Sequence, residues 1–308
     1  MILTVTLNTA LDITYHVPAL TPHACHRVGE VRERPGGKGL NVARVLAALG
    51  HETVVTGFAG GATGAVLRDL LAPLAPHDAL LPIAGTTRRT LAVVDDAGGD
   101  TTQLNEPGPT VSPEEWAAFL SSYDYLLRDA DAVALCGSLP PGIHVGAYAE
   151  LVRRARAADV PVLLDTSGEP LRRGIAARPD LVKPNADELA QLTGSREPLR
   201  ATRDARRRGA HTVVASLGAD GVLAATPDGV WQASPPASVK GNPTGAGDSA
   251  VAGLLSGLVE QLPWPDRLSR AVALSAATVL APAAGEFDAE AYEDLLPRIA
   301  VTERAAAA

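Results

Sequence analysis

The sequence predicts an α/β fold on a mostly parallel sheet with helices on both faces, and three observations carry that expectation. Short apolar runs at 132–136, 160–164, 181–183 and 212–216 each end in a polar turn, and the earlier ones lead on into a helical pattern. Repeated units of this kind form a parallel sheet. Six predicted strand ends carry Gly, Ser, Asp or Asn clusters, and open α/β sheets present ligand contacts at such ends. One segment breaks the rhythm: Arg88–Asp95 and Asp100–Leu104 flank Asp96-Ala97-Gly98-Gly99, a hairpin signal. It predicts a small extra sheet covering a cleft.

In chain order, Leu3–Leu7 reads as a buried strand ending at Asn8–Asp12, where Asp12 suits a pair of sugar hydroxyls or a plain turn. Residues 13–17 and 27–34 alternate as short strands. Pro35-Gly36-Gly37-Lys38-Gly39-Leu40 then leads into an amphipathic helix over 41–50, closed by Gly50. Glycines and a lysine at a helix start favour an anion or form a flexible turn, and the spacing of a P-loop is absent. A strand over 53–57 and a helix over Thr63–Leu71 precede the hairpin. Arg88 and Arg89 head its first strand, where they reach a substrate phosphate or cap an exposed edge. Asn105-Glu106-Pro107-Gly108 returns the chain to the main body.

Helices over Glu114–Leu127 and Gly146–Ala157 alternate with strands that end at Gly137-Ser138, Asp165–Gly168 and Pro184–Glu188. Asn185 and Glu188 lie three apart at a helix start and share a face. Their oxygens suit Mg²⁺, which keeps several waters, and equally suit a reciprocal cap. Ser216–Gly221 is either a loop beneath a nucleotide or a hairpin into Val222–Ala225. Residues 302–308 read as a frayed tail.

The chain is organised around Asn242–Ser249, where Gly245-Ala246-Gly247-Asp248 opens a long apolar run. The glycines sit at a helix N-terminus, whose free N–H groups and dipole favour an anion. Without Cβ atoms they let a phosphate come close. Asp248 would repel that anion; it is either a cap or a catalytic base placed where a hydroxyl attacks a bound phosphate. The relaxed dinucleotide pattern G-x-G-x-x-A also fits. Pro235, Pro236 and Pro243 crowd its approach, however, and the strand it requires is missing.

With 308 residues, 46% of them hydrophobic, the chain can bury one large core, so 1–308 is read as a single domain. A net charge of −8 argues against a nucleic-acid binder. Cys25 and Cys136 have no metal spacing, no run of about 18 apolar residues suggests a membrane span, and a cytoplasmic location is expected. Arginine serves the surface, while lysine occurs only at Lys38, Lys183 and Lys240, each beside a motif. Those positions suit a compact ammonium.

The motifs Asn8-Thr-Ala-Leu-Asp12, Gly36-Gly-Lys-Gly-Leu-Asn-Val-Ala-Arg44, Thr87-Arg88, Asn105–Pro109, Gly137–Pro140, Lys183–Glu188 and Thr244–Asp248 resemble, in this order, those of the ribokinase-like or PfkB-type carbohydrate kinases. Within them the chain is similar to the branch of 1-phosphofructokinases and tagatose-6-phosphate kinases. The resemblance runs from Asn8 to about Leu296. It implies a three-layer α/β/α sandwich with a β lid from segments about 12–34 and 86–106, ATP and Mg²⁺ as cofactors, and homodimerisation through the lid as in many members. Asp248 matches the base, and Gly245, Ala246 and Gly247 match the anion hole. Asp12, Gly37, Lys38, Asn41, Arg88, Asn105 and Ser138 match the sugar side, with Lys38 and Arg88 on the substrate's own phosphate. Lys183, Ser216, Gly218, Gly221 and Thr244 match the nucleotide side, and Asn185 and Glu188 the water-mediated Mg²⁺ motif. The segment after Leu280 lies where the family closes over adenine. Ala92 stands where the branch often has lysine.

The expected activity is therefore ATP-dependent phosphorylation of a ketohexose phosphate, fructose 1-phosphate to fructose 1,6-bisphosphate, with tagatose 6-phosphate and fructose 6-phosphate as alternatives. A phosphorylated substrate is expected because Lys38, Arg88 and Arg89 should cluster. A non-catalytic sugar- or nucleotide-binding regulator is the reading from another class, and the presence of Asp248, Asn185 and Glu188 argues against it. A nicotinamide-dependent oxidoreductase is disfavoured by the failed dinucleotide context.

Overall fold

The computed structural model describes residues 1–281 and 283–304. The chain opens with β1 (Ile2–Thr6), fully buried, and then leaves the main body for β2 (Ala10–Val17) and β3 (Glu30–Gly36). It returns through α1 (Lys38–Ala48), β4 (Thr53–Gly60), α2 (Gly61–Leu71) and β5 (His77–Ile83). Helix α1 starts three residues earlier than the apolar pattern suggests. Gly37, at φ 113°, makes the sharp entry that no Cβ-bearing residue readily adopts.

The hairpin follows as β6 (Arg88–Asp95) and β7 (Thr101–Asn105). Asp95 shapes its turn, accepting from the N–H groups of Ala97 and Gly98 at 3.0 Å each. Next come α3 (Pro113–Leu126), β8 (Ala132–Cys136), α4 (Ala147–Ala157), β9 (Val162–Asp165), α5 (Gly168–Ala176), β10 (Leu181–Val182), α6 (Ala186–Thr193) and α7 (Pro198–Arg207). The chain then runs through β11 (Thr212–Ser216), β12 (Val222–Ala225), β13 (Val230–Ser234), α8 (Ala246–Val259), α9 (Trp264–Leu280), α10 (Ala289–Leu295) and β14 (Ala300–Arg304).

Among the described residues the strands form two sheets. The large one has the order β14-β13-β12-β11-β10-β9-β8-β1-β4-β5, parallel from β5 to β11 and antiparallel beyond. The small one has the order β3-β2-β6-β7, with β2 and β6 parallel, and is the expected lid. Residues 302–304, expected to fray, belong to β14, which pairs with β13 over five positions; residues 305–308 lie outside the described residues. No helix among the described residues is long and apolar enough to cross a membrane.

Alternation along the buried strands divides the core. Leu3, Val5, Val133 and Leu135 face Phe119, Tyr123, Tyr148 and Leu151 of α3 and α4. Ile2, Ala132, Ala134 and Cys136 face Val45, Val251, Leu254 and Val272 of α1, α8 and α9. This gives three layers, helix on sheet on helix. Helix α8 is buried without interruption from Asp248 to Gly257 because it lies between the sheet and α9. An all-round apolar helix of this kind belongs in a core, and its first turn is thereby fixed at the carboxyl ends of the parallel strands.

Candidate active site

Gly245 caps α8 at φ 86°, and a Cβ there would lie 2.7 Å from the Cα of Ala284. Only glycine allows both the left-handed turn and that approach. The Ala246 N–H is taken by Pro243 O at 3.1 Å and that of Ser249 by Gly245 O at 2.9 Å. Among the described residues, the N–H groups of Gly247 and Asp248 have no acceptor within this first turn. Unengaged N–H groups at a helix N-terminus make an anion-favouring pair. Of the residues expected in the anion hole, Ala246 thus has its N–H engaged within the turn.

Asp248 is 7% exposed, and its Oδ2 accepts from Asn41 Nδ2 at 2.8 Å. Burial pushes its pKa up to about 6, opposed by Lys38, assisted by Asp165 and opposed again by the Asn41 bond and Lys183. Behind it, Asp165 sits between two ammonium groups, with Lys38 Nζ 3.2 Å from Oδ2 and Lys183 Nζ 3.6 Å from Oδ1. Burial works against the Lys38 charge, but Asp165, Asp248 and Glu188 outweigh it and raise its pKa. Oδ1 of Asp165 is buried without a hydrogen-bond partner among the described residues. Two lysines and two carboxylates thus converge where parallel strands end.

Two cavities of about 760 Å³ each meet at Gly241 and Pro243. The first is walled by Asn185, Ser216, Gly218, Gly221, Lys240 and Gly247, so four of the expected nucleotide-side residues, Asn185, Ser216, Gly218 and Gly221, come together there. Lys183 lies beneath its floor; a Cβ on Gly247 would be 3.5 Å from the Lys183 Nζ. Asn185 and Glu188 form a full capping box: Asn185 Oδ1 accepts from Glu188 N at 2.8 Å, and Glu188 Oε2 from Asn185 N at 2.9 Å. Glu188 Oε1 takes no part in the box.

The second cavity lies beneath the lid, walled by Asp12, Arg34, Asn41, Arg44, Thr90 and Thr244. Asp12 faces Thr90 across the parallel β2–β6 pair, and a Cβ on Gly36 would fall 2.1 Å from its Cγ. Burial raises the Asp12 pKa to about 6 against the pull of Thr90, Arg88 and Arg44. Asp248 stands between the cavities: Gly247 before it lines the first, and its partner Asn41 lines the second.

The remaining expected residues separate. Arg88 donates from Nε to Asn8 O at 3.2 Å, and Asn8 Nδ2 donates to Ser138 Oγ at 3.1 Å. Lys38 packs beside Gly137, so Lys38, Arg88 and Ser138 share one corner. Arg89 does not join them. One residue on, it faces the other side of the lid and pairs with Glu106 at 2.7 Å, 58% exposed. Asn105, exposed at the end of β7, lies outside the cavity wall. Thr244, expected on the nucleotide side, lines the second cavity, as do Ala281, Ala283 and Ala284, expected near adenine. Sequence reasoning missed Arg34, Glu286 and the roles of Arg44 and Asp165. Glu286 Oε1 accepts from Arg34 Nη1 at 2.5 Å and Arg44 Nη2 at 2.8 Å, tying the lid to the body. A pairing across more than 240 residues leaves no local signal, although Arg44 lies one turn after Asn41.

The family model of pfkB family carbohydrate kinases matches residues 5–291. Phosphofructokinase-2 of Escherichia coli in complex with fructose-6-phosphate is 30% identical, with 96% of this chain and 98% of that chain covered and a TM-score of 0.87. A "possible 1-phosphofructokinase" of Thermotoga maritima is 27% identical over 99% of both chains, with a TM-score of 0.90. The tetrameric inhibited form of the E. coli protein is 28% identical over 96% of this chain and 98% of that chain, with a TM-score of 0.87.

Proposed function

Because the chain belongs to the pfkB family of carbohydrate kinases, we propose that it transfers the γ-phosphoryl group of ATP to fructose 1-phosphate, giving fructose 1,6-bisphosphate. The observation that carries this reading is the carboxylate of Asp248, buried between two cavities and beside an open helix N-terminus.

The first cavity suits ATP and Mg²⁺. Its wall combines the open N–H of Gly247, the ammonium of Lys240 and a floor holding Lys183. Mg²⁺ keeps several of its waters when bound. Glu188 and Asn185 would hold it through them. When bound, ATP supplies the phosphoryl group and Mg²⁺ neutralises part of the phosphate charge.

The chain's own residues do the rest. Asp12 accepts hydrogen bonds from sugar hydroxyls, and Asn41 orients Asp248, which accepts the proton of the attacking hydroxyl. The N–H groups of Gly247 and Asp248 stabilise negative charge at the transferred group without reorganising. Lys38 and Arg88 hold the phosphate the sugar already carries. Arg88 makes no ion pair among the described residues, whereas Arg34 and Arg44 share Glu286. Val31 and Leu104, 56% and 57% exposed on the lid's outer strands, together with the tetrameric E. coli relative, support assembly through the lid.

Fructose 6-phosphate is the second reading, supported by the E. coli relative holding that sugar. The test is ADP release from Mg·ATP with fructose 1-phosphate, fructose 6-phosphate, tagatose 6-phosphate, fructose and ribose offered separately. The highest kcat/KM for fructose 1-phosphate is expected. A higher value for another phosphosugar replaces the substrate, and activity on unphosphorylated sugar alone overturns the role of Lys38 and Arg88.

A further inference from the structure

We propose that the chain binds a phosphate-bearing small molecule at a second site, at the amino ends of the parallel strands and so opposite the active site. Helices α4, α5 and α7 end there, just before β9, β10 and β11 begin. Arg156, Arg178, Arg203, Arg206 and Arg207 surround a cavity of about 690 Å³ whose wall contains one carboxylate, Asp180. That volume falls within the range of roughly 300–1,000 Å³ typical of small-molecule sites.

Arginine at a helix C-terminus is ordinary, because it offsets the dipole and caps carbonyls. Two of the five do this: Arg156 donates to Ala177 O at 3.3 Å and Arg206 to His211 O at 2.8 Å. Charge balance shows that the arrangement exceeds that need. Each of the three helix ends supplies about half a negative charge. Asp180 adds one, and Asp204 at the rim pairs with Arg207 at 3.3 Å. Against five guanidinium groups, about one and a half positive charges remain, close to the charge of a phosphate monoester near neutral pH, about −1.5 to −2.

Arg178 and Arg203 carry this excess, since neither makes a side-chain hydrogen bond or ion pair among the described residues. Arg178 also has φ 64°, just after α5, where glycine is the usual residue. Residues 151–211 hold twelve Arg and one Lys against eight Asp and Glu, in a chain whose net charge is −8. The acidic remainder of the surface repels an extended polyanion, whereas a concave pocket admits a small one. The site is separate from the catalytic cleft. Asp180 precedes β10 and Lys183 follows it, and three residues of strand span about 10 Å.

Equilibrium dialysis of the full chain tests the proposal with three probes: orthophosphate, AMP and fructose 1,6-bisphosphate. The comparison is wild type against Arg178→Gly/Arg203→Gln. The glycine suits the left-handed backbone, and Arg178→Gly alone serves if the double variant melts early. The expected result is a saturable site, at least tenfold weaker in the variant, with kcat and KM for the sugar phosphate unchanged. The bisphosphate is the proposed product and AMP fits the nucleotide cavity, so only the binding lost in the variant is counted; within it, tighter binding of AMP or of the bisphosphate than of orthophosphate identifies the source of the phosphate. Equal binding of each of the three probes in wild type and variant overturns the proposal.

Discussion

Asn41 Nδ2 donates to Asp248 Oδ2 over 2.8 Å, so the first turn of α1 fixes the carboxylate in the first turn of α8. The bond favours the ionised carboxylate, while burial opposes it and leaves the pKa at about 6. As the proposed base, Asp248 must be ionised to accept a proton, which on that proposal places activity above that pH. We expect kcat/KM to fall on the acid side with an apparent pKa near 6, steeply because Asp12 titrates in the same range. Asn41→Ala removes a contact that lowers the pKa, so the acid limb should move to higher pH. A pH–rate profile that stays flat down to about pH 5 removes Asp248 as the base.

The same shift makes Asp248 a cost to stability. Its pKa is raised from an ordinary 3.8 to about 6 in the folded chain, so the native state binds the proton more tightly than the unfolded one. Its contribution is fully favourable below the unfolded pKa and declines as pH rises through the folded one. Two pKa units correspond to about 3 kcal/mol. Asp248→Asn should therefore raise Tm at neutral pH, with the gain vanishing towards pH 4, while turnover falls at least ~10²-fold. Thermal melts across this range check the first effect and steady-state rates the second. A loss of stability at pH 7 would mean that Lys38 and Lys183 depend on the Asp248 charge more than burial opposes it.

The sheet and its ligand-bearing ends were legible because buried parallel strands are short apolar runs that stop at Gly, Ser or Asp, as at Ala132–Cys136 and Gly137-Ser138. Strand β5 and edge strand β14 were not. His77–Ile83 contains Pro82, and Ala300–Arg304 is mostly exposed, so neither shows a buried pattern. Helix α7, rich in arginine, offers no apolar run, and only Ala201, Thr202 and Ala205 are buried along it. Within the site, Asp248 and Lys38 announce themselves through neighbouring glycines. Asp165 gains its meaning only when β9 brings it between two lysines from distant segments.

Arg88 and Arg89 are adjacent in sequence, yet they occupy opposite sides of a strand in the lid. Arg88 is half-buried and donates to Asn8 O at 3.2 Å, beside the corner shared by Lys38 and Ser138. Arg89 pairs with Glu106 in the open. A charge-assisted bond to a substrate phosphate is worth roughly 1.5–3 kcal/mol. Arg88→Ala should thus raise KM for the phosphosugar about 10- to 100-fold. Arg89→Ala should leave it within about twofold, as exposed pairs contribute little. Equal effects of the two substitutions on KM would disprove the assignment of the phosphate to the inner face.

Gly245 and Gly247 are two residues apart, and the structure asks different things of them. At Gly245, φ is 86°, and a Cβ would meet Ala284 at 2.7 Å from Cα and 2.8 Å from its Cβ. Left-handed backbone costs a Cβ-bearing residue about 1–2 kcal/mol before any clash. Relief would push α8 away from the loop that walls the second cavity, carrying Asp248 with it. A displacement of about 1 Å at a reacting group can cost ~10²-fold in rate. Gly245→Ala should therefore lower both Tm and kcat. A Cβ on Gly247 meets the Lys183 Nζ at an ordinary 3.5 Å and projects beside the first cavity. Gly247→Ala should leave Tm nearly unchanged and act on the nucleotide instead, raising KM for ATP more than KM for the sugar phosphate. Melting curves and two-substrate kinetics of the pair separate the effects. If Gly247→Ala proves the more destabilising of the two, the contact of Gly245 with Ala284 is not what requires a glycine there.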